Sequence, residues 1–126
     1  MEIISEAMLR HAIDVIGRTE GIQMDADALI DDVFILSNTY STEQTFLLAV
    51  NQIHHSLKQI VKTRTIGTEL LGNLSNWRSF HFQSRRVNKQ SKDLRIVYQD
   101  TGDFIQVRGF GNRHLPHDFY QRIYKR

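Results

Sequence analysis

The chain has no cysteine, one proline in 126 residues and no low-complexity tract. Without cysteine there is no disulfide and no thiolate metal site, and a reducing compartment suits it. So little proline argues against long disordered linkers. No stretch approaches the roughly eighteen apolar residues of a spanning helix, so no membrane is expected. The first residues lack the basic start, continuous apolar stretch and small-residue cleavage site of a secretory signal. Also missing are a phosphate-cradling glycine loop, G-x-S-x-G, H-E-x-x-H and a paired set of carboxylates. What remains is the expectation of a soluble cytoplasmic protein, long enough to bury its own core.

What the chain does have is a divided charge. Residues 1–60 hold three Lys or Arg against nine Asp or Glu, a balance of −6. Residues 61–126 hold thirteen against five, a balance of +8. The basic half suggests an anionic partner, most often nucleic acid. The alternative is that the two halves neutralise each other within one fold.

The acidic half reads as helical. Ile4, Ala7, Met8, His11, Ala12, Val15 and Ile16 recur at spacings of three and four, predicting an amphipathic helix that ends near Gly17. On that stripe His11 is expected to be packed. Gly21–Met24 is a short extended candidate. Asp25 can cap a second helix with apolar positions Ala28, Leu29, Val33 and Leu36. Ser41 and Gln44 form a capping-box pattern that opens a third helix. Its stripe is Phe46, Val50, Ile53, Leu57 and Ile60, running to Lys62. The short break between them predicts that the second and third helices pair as an antiparallel hairpin. Asp31 and Asp32 read as charges on a solvated face.

Beyond Gly72 the period changes to two. Phe80–Val87, Leu94–Gln99 and Phe104–Phe110 read as three strands of a meander. Asp100-Thr101-Gly102-Asp103 is the hairpin turn between the last two. Pro116 suits a loop or a helix start, and His117–Lys125 reads as a last short helix. The expected class is α+β, with an N-terminal helix hairpin packed on a small antiparallel sheet.

The basic meander gathers the side chains that could act on RNA. Cleavage by the neighbouring ribose 2′-OH needs a base, an acid and cations for the crowded phosphate. Arg95 fits a phosphate clamp, since a guanidinium stays charged and forks onto phosphate oxygens. Its bland alternative is an exposed strand arginine beside Asp93. Arg113, just past the third strand, fits a transition-state clamp, or an ordinary loop arginine. His114 and His117 titrate near neutrality, and His114 is the better candidate for proton transfer. Tyr120 can accept a proton or stack on a base; equally, Phe119, Tyr120, Ile123 and Tyr124 can be a packed helix stripe. Arg78, Arg85, Arg86, Lys89, Lys92, Arg108 and His117 read as RNA contacts that position the backbone. Trp77 reads as a core anchor. His114-x-x-His117 lacks a clear third ligand, so no metal and no cofactor are assigned.

Four stretches together resemble the RelE/ParE toxin superfamily of type II toxin–antitoxin modules. Ile22–Asp32 looks like its first strand running into a helix. Ser41–Gly67 is similar to its long helix and exit. Leu94-Arg95-Ile96-Val97-Tyr98-Gln99 looks like its central strand. Arg108–Arg113, followed by Tyr120, is similar to its last strand with a closing arginine and downstream tyrosine. The resemblance divides the chain into an N-terminal helical extension, residues 1–19, and a toxin-like domain, residues 20–126. It implies a metal-free endoribonuclease that cleaves mRNA on the ribosome, with Arg95, Arg113 and Tyr120 at the catalytic site, to which the proton-transfer candidate His114 is added. It also implies a cognate antitoxin protein as partner. The superfamily includes gyrase poisons and inactive members too, so a non-catalytic binding protein is the alternative. An unrelated α+β domain whose first helix supports oligomerisation is a third reading.

Overall fold

The computed structural model describes residues 3–85, 87 and 89–126. Helix α1 (Glu6–Gly17) opens on Ser5, whose side chain accepts from the Met8 amide. Strand β1 (Ile22–Met24) follows, and Asp25 caps helix α2 (Ala26–Thr39) by accepting from the Ala28 amide. Helix α3 (Glu43–Lys62) is capped one residue later than expected: Thr42 and Thr45, not Ser41 and Gln44, exchange the capping-box hydrogen bonds. Both threonines put a hydroxyl within reach of the other's backbone amide, so they form the box without a glutamine.

The sheet comprises β1, β2 (Thr68–Glu69), β3 (Arg78–Phe82), β4 (Leu94–Asp100) and β5 (Ile105–Asn112), in the order β1-β5-β4-β3-β2. The last three strands are the antiparallel meander, and Gly102 at φ +96° makes the turn between β4 and β5. The sheet is mixed rather than purely antiparallel, because β1 runs parallel to β5 along Ile22–Met24. The first meander strand is also shorter than its pattern. It begins at Arg78 and ends at Phe82, so Gln83, Ser84, Arg85 and Val87 belong to the connection to β4, and residue 86 of the expected strand lies outside the described residues.

Helices cover both faces of the sheet. Alternation along β4 sends Leu94, Ile96 and Tyr98 into the core under α1–α3, and Val97 into a second cluster with Leu74, Phe119 and Ile123. Phe119 and Ile123 come from helix α4 (Phe119–Tyr124), so the helices are not all N-terminal. Gly109 permits this packing: a Cβ there would lie 2.0 Å from Ile123 Cδ1.

The expected hairpin of α2 on α3 is replaced by a different arrangement, in which α1 packs against both. Ile4, Ala12 and Ile16 join the main core with Phe46, Ile53 and Leu57. His11 is exposed rather than packed; the buried side of α1 is Ala12 and Ile16, with Met8, Leu9 and Ile13 partly covered. Asp32 is not on a solvated face. It is fully buried, accepting the Phe110 amide where β5 runs on past its pairing with β1, and pairing with Arg122 and Arg126. Among the described residues, no helix is long and apolar enough to cross a membrane.

Candidate active site

The end of the meander brings Arg95, Arg113 and Tyr120 together, and adds His81. Strand register sets His81 on β3 opposite Arg95 on β4, and Gly111 on β5 opposite Arg95 on its other side. Arg95 is buried, 7% exposed, with its guanidinium carbon 4.8 Å from the Phe119 ring centre and 4.7 Å from that of Tyr120. Its Nη2 donates to the Arg113 carbonyl at 2.5 Å. Burial pulls its pKa below the usual arginine value, partly offset by Tyr120. It still remains a cation at neutral pH. Its bland alternative, a pairing with Asp93 on an exposed face, does not occur.

Arg113 turns back over the connection between β3 and β4. Its amide donates to the Asp93 carbonyl at 2.8 Å, and its Nη1 to the Lys92 carbonyl at 3.1 Å. The Nε groups of Arg95 and Arg113 are both buried with no hydrogen-bond partner among the described residues.

His81 was not singled out from the sequence, where it reads only as the polar alternate of Phe80 and Phe82. Its Nε2 lies 3.1 Å from the Ser79 hydroxyl. Burial and the positive charges of Arg113, Arg95 and Lys92 push its pKa down to about 4. At neutral pH it is therefore an uncharged imidazole among cations, with a lone pair available.

A second set of polar residues holds this corner in place. Asp93 accepts from Tyr40 Oη at 2.5 Å, the Ser84 amide at 2.8 Å and Ser84 Oγ at 2.6 Å. Burial works to raise the Asp93 pKa, but those hydrogen bonds outweigh it and hold the carboxyl below its usual range. Burial and the same carboxylate raise the Tyr40 phenol. Asn112 Nδ2 donates to Tyr40 Oη, while Asn112 Oδ1 accepts the His114 and Leu115 amides. One network thus ties α2 to both loops that flank Arg95. Nothing in the spacing of Tyr40, Ser84, Asp93 and Asn112 announces it.

The other sequence candidates are spread out. His114 and His117 are exposed on the segment between β5 and α4. Arg85, Lys89 and Lys92 are exposed in the β3–β4 connection, and Arg86 lies outside the described residues. Arg78 sits at the opposite end of β3, donating to the Thr65 and Gly67 carbonyls and pairing with Glu69. Arg108 is spent on the fold. It donates to the Ile123 and Tyr124 carbonyls at the end of α4, and its guanidinium lies 4.9 Å from the Trp77 ring centre. Trp77 itself packs against the second cluster, as expected of an anchor.

Among the described residues, architecture and corner together define a four-helix, five-stranded α+β protein with a cationic, imidazole-bearing corner at the end of its meander. No known protein family matches the chain, and no curated protein or solved structure matches it.

Proposed function

We propose that this protein is an endoribonuclease of the RelE/ParE type, the toxin of a type II toxin–antitoxin pair, cutting mRNA on the ribosome. The observation that carries the reading is the meeting of Arg95, Arg113 and an uncharged His81 at one corner, with Tyr120 beside them. RNA supplies its own nucleophile, so the protein need only move protons and stabilise charge. His81 takes the proton of the 2′-OH, whose oxygen attacks phosphorus. Arg113 and the Arg95 guanidinium face the charge that gathers on the phosphate oxygens. The 5′-oxygen leaves with a proton from Tyr120, giving a 2′,3′-cyclic phosphate and a 5′-hydroxyl. Lys92, Arg85 and Lys89 present exposed positive charge to the surrounding RNA. A cognate antitoxin would keep such an enzyme silent.

One observation favours the alternative, a non-catalytic binding protein such as a gyrase poison. Arg95 is covered on its flat faces by Phe119 and Tyr120 and tied to the Arg113 carbonyl, as a structural strut would be. Inducing the protein in growing bacteria and mapping mRNA 5′ ends separates the two. The enzyme gives growth arrest with new codon-positioned ends, and Arg113→Ala loses at least about a hundredfold in cleavage with its unfolding temperature unchanged. Arrest without new ends would sink the nuclease reading and leave the poison.

A further inference from the structure

Beyond the catalytic corner, the structure assigns a track for single-stranded RNA along the free edge of β3, between that strand and α3. Strand β2 pairs only with Arg78 and Ser79, so no strand lies beyond Phe80–Phe82 among the described residues. Two hollows occupy this edge, one of about 660 Å³ and one of about 200 Å³. They share His55, Gln59 and Phe80 and so form one continuous groove. Lys58 and Lys62 line its outer end; His81 and Lys92 line its inner end. No carboxylate lines either hollow among the described residues.

This combination suits a nucleotide strand. Lysines on α3 four residues apart lie on one side of the helix and follow a backbone. Half-buried Phe80, stacked with Phe82 at 5.8 Å between ring centres, offers an aromatic surface mid-groove. Positive charge lining a groove with an aromatic in it is the arrangement that holds single strands without reading their sequence. The groove reaches the catalytic corner round the edge of β3, because His81, which lines its inner end, is the cross-strand partner of Arg95 on the α4 face of the sheet. The inference rests on the RNA reading above. It adds where the strand lies before it reaches the scissile phosphate.

The test measures binding of a fluorescent single-stranded RNA by anisotropy over a salt series, in the full chain carrying Arg113→Ala so that cleavage does not intervene. Lys58→Ala with Lys62→Ala should weaken binding at low salt and reduce the slope of log affinity against log salt by about 1.4, two phosphate contacts' worth. Phe80→Leu, which keeps the apolar bulk, should weaken binding roughly tenfold. RNA carrying 4-thiouridine should cross-link to the peptide holding Phe80 and to α3. Unchanged affinity and slope in the lysine variant, or cross-links confined to Arg85–Lys92 and Tyr120, would overturn the track. Equal competition by polyglutamate would overturn it too, marking the groove as a surface for acidic peptide. Separately, a wild-type chain that cross-links through the groove but cuts no mRNA keeps the track and removes the nuclease. A chain that cuts mRNA while the lysine variant binds normally does the reverse.

Discussion

At residue scale, His81 and Asp32 show two opposite treatments of a charge-bearing group. His81 is half-buried and sits among Arg113, Arg95 and Lys92, so protonating it in the folded state costs more than in the unfolded chain. Its folded pKa, about 4, lies below the ordinary 6.5, so between those values the unfolded state binds more protons. Stability therefore falls as pH is lowered from about 6.5 towards about 4. Urea midpoints taken across that range should drop in the wild type and drop less in His81→Gln. Asp32 is instead surrounded by donors: the Phe110 amide at 2.9 Å, Arg122 Nε at 3.2 Å and Arg126 Nη2 at 2.6 Å. Burial works against the Arg126 charge, but Asp32 and Asp31 outweigh it and raise its pKa. Removing the carboxylate takes the acidic partner from Arg122 and the acceptor from the Phe110 amide, and leaves Arg126 with Asp31 alone. Asp32→Ala should cost about 3–5 kcal/mol, read from denaturant unfolding.

At the scale of elements, α4 is the piece whose placement decides the site. It is only six residues long and carries no side-chain cap, so its own helical preference cannot hold it. Tertiary contacts do: Phe119 and Ile123 fill the second cluster, Arg108 binds its last carbonyls, and Arg126 beyond it reaches Asp32. Gly109 is the floor on which Ile123 rests. Gly109→Val should force α4 off the sheet, lower stability by about 1–3 kcal/mol and uncover Arg95. The companion measurement is Tyr120 accessibility to iodination, which should rise in that variant and stay at the wild-type level in Gly102→Asn, a turn substitution far from α4.

At the scale of the molecule, the acidic and basic halves are joined more than they are opposed. The longest-reaching ion pairs run from Asp31 and Asp32 to Arg122 and Arg126, across the length of the chain. Of the basic half, Arg85, Lys89 and Lys92 stay exposed in the β3–β4 connection and Lys62 at the end of α3. Helix α1 belongs to this whole as well. Ile16 is fully buried in the core shared by α2, α3 and the sheet. Deleting residues 1–17 should leave a chain without cooperative thermal unfolding by circular dichroism, and Ile16→Ala should cost about 2–5 kcal/mol.

The elements were legible in the sequence because period and caps are local. The 3.6-residue stripes marked α1, α2 and α3, Asp25 announced its cap, and alternation marked β4 and β5. Of the corner, Arg95, Arg113 and Tyr120 could be named, since charge and aromatic character are visible in one dimension. His81 could not, because its significance comes from the register that sets it opposite Arg95. Asp32 could not, because on a helix at the acidic end of the chain a carboxylate reads as solvated until the C-terminal arginines fold back onto it. Nor could the parallel pairing of β1 with β5, which joins residues more than eighty positions apart. Sequence by itself determined the three long helices, the strands β4 and β5 and which half is basic. Only the tertiary structure decided which charges are buried, which meet, and which imidazole is left neutral among cations, since those depend on distances that no spacing along the chain encodes.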